Sequence, residues 1–130
     1  VRYKNKQLRE AMNNLRSILN RGKSIHQLAI YPSIRLFWVI IHFDLKDFDF
    51  LLYEIRSFER ELGQITGAKQ TERLILSLIK KLINTNDQEK QKLLIQKAIT
   101  ELENRMNNPT EYLRITSLDL INWLYSKIKK

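Results

Sequence analysis

The sequence predicts an all-α protein: antiparallel helical hairpins, about five to seven helices, in one domain over residues 1–130. Three observations carry this. Apolar residues return with a helical period of about 3.6 along most of the chain. No segment alternates for long with period two, and no Asn-Gly or Asp-Gly hairpin turn occurs. The 130 residues include only 3 Gly and 2 Pro against 43% hydrophobic residues, too few turn formers for a β protein and too much apolar surface for a disordered chain.

Each element follows from its own spacing. Leu8, Met12, Leu15 and Leu19 form one stripe of a helix over Asn5–Leu19, with Gly22 placed to end it in a left-handed conformation. Ser24 can cap a short turn through Ile25, Leu28 and Ala29. Pro32 fits the first turn of a helix running to Asp44, whose Ile34, Leu36, Phe37, Trp38, Val39, Ile40, Ile41 and Phe43 leave almost no polar face. A helix apolar all round is buried on several sides, so this one should lie at the centre of the structure. After Leu45-Lys46-Asp47, with Asp47 as the cap, Leu51, Leu52, Ile55, Phe58 and Leu62 define a helix from Phe48 to Gln64. Leu74, Ile75, Leu78, Ile79 and Leu82 mark the next, Lys69–Asn84. Thr85-Asn86-Asp87 is turn and cap before Gln88–Met106, carried by Leu94, Ile95, Ala98, Ile99, Leu102 and Met106. Asn107-Asn108-Pro109 breaks that helix, and Leu118, Leu120, Ile121, Leu124 and Ile128 define a last one over Ser117–Lys129. Short connections make neighbouring helices antiparallel.

Charge is unevenly spread. The formal net charge is +9, yet Val1–Lys23 alone holds seven basic residues, Arg2, Lys4, Lys6, Arg9, Arg16, Arg21 and Lys23, against Glu10. The rest is nearly balanced, closing with Lys127, Lys129 and Lys130 at a helix C-terminus, where cations complement the dipole. Zero cysteines exclude a disulfide scaffold, a thiolate metal site and cysteine catalysis. The N-terminal stretch is too polar for a signal peptide, and the apolar run Ile34–Phe43 falls far short of the ~20 residues a membrane span needs. A cytoplasmic location with no membrane partner is the expectation, and the missing initiator Met predicts a piece of a longer chain.

Candidate chemistry is thin. Arg21-Gly22-Lys23-Ser24 looks like the tail of a phosphate-binding loop, but the glycine that loop needs is replaced by Ser17 and a helix precedes it instead of a strand. His26 and His42 are the only histidines. Asp44, Asp47 and Asp49 lie beside His42, but helix capping explains two of them and the terminal Glu of a Ca²⁺ loop is absent. No serine or threonine has a base and an orienting group around it, so no enzyme and no cofactor or metal is expected. Glu54, Arg56, Glu59, Arg60 and Glu61 read as a solvated charged face. Arg35, inside an apolar helix, needs a carboxylate partner or an open groove, and Glu54 or Glu59 on the next helix could supply the carboxylate.

Residues 43–62, FDLKDFDFLLYEIRSFEREL, resemble the second half of a tetratricopeptide repeat. Asp47 matches the polar turn, Phe48 the aromatic that opens the helix, and Leu51, Ile55 and Phe58 the packing positions. Asn86-Asp87 with Gln91, Ile95 and Ala98 gives a second match, and Leu8, Met12 and Leu15 a third. The closing Pro is absent, and the first two matches stand farther apart than the usual ~34 residues. The resemblance implies a degenerate right-handed α-α array, the C-terminal part of a longer protein whose upstream repeats pack against it. It also implies a protein-binding role.

The function expected is therefore a non-catalytic interaction module, or scaffold, that holds a peptide or partner helix in a groove between helices. Arg35, Tyr53 and Arg56 are its candidate contact residues, because Arg and Tyr dominate interface hot spots. The alternative is a basic helical domain that binds nucleic acid non-specifically through residues 2–23, with Arg9, Arg16, Arg21 and Lys23 on phosphates.

Overall fold

The structure is a computed structural model that describes residues 10, 13, 14, 16, 17, 31–64 and 70–128. Among them the chain is helical, with no strand. Six helices follow one another: α1 (Tyr31–Asp44), α2 (Phe48–Leu62), α3 (Gln70–Ile83), α4 (Gln88–Arg105), α5 (Pro109–Ser117) and α6 (Leu120–Ile128). Of the helix expected over Asn5–Leu19, Glu10, Asn13, Asn14, Arg16 and Ser17 are described and helical. The rest of it, the segment Arg21–Ser24, and Arg9 and His26 lie outside the described residues. The chain forms two compact units, Val1–Phe58 and Glu59–Lys130, the division falling inside α2.

In the first unit, α1 is buried on more than one side, as its apolar sequence requires. Trp38, Val39, Ile40 and Ile41 are consecutive, and none exceeds 5% exposure. The helix ends where Lys46 takes the left-handed conformation, φ 63°. That reversal returns the amides of Leu45, Lys46 and Asp47 to the carbonyls of Ile41, Phe43 and His42. The Asp47 carbonyl then accepts from the Leu51 amide at 3.0 Å and opens α2. Leu51, Ile55 and Phe58, spaced i, i+4, i+7, are fully buried. Side-chain contacts pair Arg35 with Ser57, Trp38 with Glu54 and His42 with Phe50, so α1 and α2 run antiparallel.

In the second unit, α3 buries Ile75, Leu76 and Ile79, and α4 buries Ile95, Ala98, Ile99 and Leu102. Each isoleucine or leucine withdrawn from water in this way stabilises by about 1.5–3 kcal/mol. Helix α4 is the hub, packed on α6 and α3, while α5 touches α3, α4 and α6. The α3–α4 turn is fixed from both sides. The Asp87 carboxylate accepts from the amides of Glu89 (2.9 Å) and Lys90 (3.5 Å), capping α4. The Gln91 amide donates back to the carbonyls of Leu82 (3.3 Å) and Thr85 (2.5 Å), closing the end of α3.

The C-terminal segment departs from the sequence expectation. A helix, α5, occupies Pro109–Ser117, and the last helix begins only at Leu120. Asn108 caps α5 through the amides of Thr110 and Glu111, with Pro109 in its first turn. Asp119, at φ 53°, separates the two helices. Helix α5 also caps α3 from a distance. The buried Glu111 carboxylate accepts from the Thr71 amide (3.0 Å) and from its hydroxyl (2.5 Å).

Candidate functional site

A concave surface lies between α3 and α4 in the second unit. A groove of about 850 Å³ opens between Ser77, Lys80, Lys81 and Asn84 of the first helix and Lys90, Leu93, Leu94 and Lys97 of the second. A second hollow of about 420 Å³ shares Ser77, Lys81, Leu94 and Lys97 with it and continues past Arg73, Leu74 and Glu101 to Arg105. The two form one trough along the hairpin. Its lining repeats at helical spacing: positions 73, 74, 77, 78 and 81 on α3, and 90, 93, 94, 97, 98, 101 and 105 on α4.

Its chemistry is two-toned. The floor is hydrocarbon, with Leu74 and Leu94 half-buried and Leu93 64% exposed. The rim is cationic. Lys80 is held by Glu59 at 2.8 Å, and the Arg105 guanidinium donates to the Gln70 side chain. Among the described residues no ion pair engages Arg73, Lys81, Lys90 or Lys97. Glu101 is the acidic residue of the lining.

The residues singled out in the sequence fall elsewhere. Arg35 is turned into the α1–α2 contact, its side chain 13% exposed. Its guanidinium lies 3.8 Å from the Glu54 carboxylate, donates to the Ser57 hydroxyl at 3.0 Å and sits over the Phe58 ring at 5.7 Å. This is the partner an arginine on an apolar helix requires. Glu54 also accepts from the Trp38 indole at 3.1 Å. Tyr53, 64% exposed, and the exposed Arg56 share the outward stripe of α2 with Asp49 and Arg60, so the structure brings these two together but not Arg35. Glu59, read as part of a solvated charged face, pairs with Lys80 at 2.8 Å while both side chains stay partly exposed. Of the basic N-terminal set, Arg16 stands over the Trp38 ring, 5.8 Å from its centroid. Arg9, Arg21 and Lys23 lie outside the described residues.

His42 is 3% exposed, with Trp38 edge-on at 4.6 Å and Phe50 tilted at 4.6 Å. Burial lowers its pKa, outweighing the nearby Asp47 and Glu54 carboxylates, which raise it. Its Nδ1 lies 3.5 Å from Asp47, and neither ring nitrogen has a hydrogen-bond partner among the described residues. Among the same residues no three of His, Cys, Asp and Glu converge as metal ligands. No described helix is long and apolar enough to cross a membrane.

Fold and surface thus define a class: an all-helical protein presenting a lysine-rimmed, leucine-floored trough on one hairpin. No protein-family model, curated protein or solved structure matches the chain.

The trough is not legible in the sequence, because its cations are distributed over two separate helices. Lys80, Lys81, Lys90 and Lys97 look like ordinary outward positions of two amphipathic helices. Only the antiparallel pairing of α3 with α4 lines them along one channel.

Proposed function

We propose that the chain is a non-catalytic interaction module that holds a segment of a partner protein in the trough between α3 and α4. The observation that carries this is the apolar strip of half-buried Leu74 and Leu94 and exposed Leu93, between two helices on whose rims Arg73, Lys81, Lys90 and Lys97 make no ion pair among the described residues. A contiguous apolar strip of this kind is what helix and peptide grooves offer. The helical hairpins also support a tetratricopeptide-like reading. Helix α3 begins roughly 40 residues after α1, and α4 the same distance after α2, a common offset longer than the ~34 residues of that repeat, so the reading is of a degenerate array. A cytoplasmic setting suits this role.

A photo-crosslinking residue placed at Leu93 and, separately, at Tyr53 tests the site in lysate of the source cells. A discrete protein adduct at 93 that disappears with Lys97→Glu supports the trough. Adducts confined to 53 would move the site to the outward stripe of α2. An adduct at 93 that nuclease removes would replace the reading with nucleic-acid binding.

A further inference from the structure

We infer that the trough takes an amphipathic α-helix with acidic residues on both flanks of its apolar stripe, an inference that rests on the groove reading above. The floor asks for hydrocarbon. Leu93 is 64% exposed, and the half-buried Leu74 and Leu94 continue the strip beside it. The rims ask for carboxylates. Arg73 and Lys81 on α3 face Lys90 and Lys97 on α4 across the strip, with Glu101 alone opposing them in the lining.

Spacing selects a helix. Lys90 and Lys97 stand two turns apart on α4, about 10 Å along its axis, and Arg73 and Lys81 about 12 Å apart on α3. A helical ligand meets each row with carboxylates at i and i+7 and lays its i+3 and i+4 side chains on the leucines. Helix α3 has 14 residues, so the trough offers a length of roughly 21 Å, three to four turns of such a ligand.

Other occupants fit less well. On each helix the cations stand about 10 Å or more apart along an open channel, a spacing that suits an elongated ligand better than one small anion. A nucleic-acid strand wants aromatic faces for its bases, and no aromatic residue lines either hollow.

The test uses the full chain and a fluorescent synthetic peptide of about 16 residues, with Leu at i, i+3, i+4 and i+7 and Glu on both flanks. Anisotropy is read at about 50 and 300 mM salt. Saturable binding should weaken about tenfold when the peptide glutamates become glutamine, and by a similar factor in Lys81→Glu/Lys97→Glu. Leu94→Ser should weaken it at both salt concentrations, while the double charge variant should abolish the salt dependence. Circular dichroism of each variant confirms that the fold is kept. A scrambled peptide binding equally well would overturn the inference. So would an oligonucleotide that displaces the peptide at lower concentration, or self-association of the chain abolished by the same variants. If no peptide binds while the Leu93 crosslinker still yields a Lys97-dependent protein adduct, the helix inference fails and the groove reading stands. If both fail, the groove reading fails with it.

Discussion

Replacing Glu111 with alanine should destabilise the second unit by about 3–4 kcal/mol. Thr71 is fully buried, in the first turn of α3, where backbone amides have no partner within the helix. Both its amide and its hydroxyl donate to one oxygen of Glu111, which is itself 2% exposed. Hydrogen bonds to a carboxylate contribute about 1.5–3 kcal/mol each, and two sharing one oxygen contribute less than twice that. Losing the acceptor also leaves two dry donors without a partner. Glu111→Gln keeps an acceptor oxygen but puts an amide nitrogen where the second carboxylate oxygen is buried without a hydrogen bond among the described residues. Its cost should be about 1–2 kcal/mol. Thr71→Val removes only the hydroxyl, at about 1 kcal/mol. Urea denaturation followed by circular dichroism measures all three, and the double variant Thr71→Val/Glu111→Ala should cost less than the separate losses added together. A Glu111→Ala loss below about 1 kcal/mol would refute the remote cap.

Trp38→Ala should cost about 3–5 kcal/mol, since the ring is 5% exposed and its indole donates to Glu54; a loss near zero in thermal unfolding would contradict the burial of α1. His42 should make stability fall on mild acidification. Its folded pKa lies below the ordinary 6.5, so the unfolded chain takes up the proton first, and stability declines as pH drops from 6.5 toward the folded value. His42→Leu should flatten that slope, and an unchanged slope would place the titration elsewhere. Lys46→Gly should stabilise by about 1 kcal/mol by relieving the left-handed backbone at φ 63°, whereas Lys46→Ala should give no gain in the midpoint of urea unfolding.

Periodicity made most of the fold readable. The starts of α2 and α4 lie where Phe48 and Gln88 were expected, because Asp47 and Asp87 stand directly before apolar stripes. Arg35 was readable too: a guanidinium on an apolar helix has few solutions, and Glu54 one helix away is the one taken. Helix α5 escaped because nine residues carry too few apolar positions to show a period, although Asn108-Pro109 is a helix start as much as a helix stop. Gln91 and Glu111 escaped for a different reason. Each is polar at a position where a helix face tolerates polarity, and its role depends on what the fold lays beside it. The lysines of the trough share that dependence, since their common channel exists only once two helices pair.

The two devices that close α3 differ in chain separation, and this bears on the order in which the unit assembles. Gln91 reaches carbonyls only six and nine residues away, so the C-terminal end of α3 can be sealed as soon as the turn at Asn84–Asp87 forms. Glu111 must be brought 40 residues along the chain to reach Thr71, which requires α5 to dock first. Short loops close at lower entropic cost than long ones, so the hairpin belongs to the folding nucleus and the remote cap to a late, locking step. Loss of Gln91 would then slow refolding, while loss of Glu111 would mainly quicken unfolding, a contrast the two limbs of a chevron plot would display or deny. The trough, built on that hairpin alone, would take shape before the rest of its unit has closed around it.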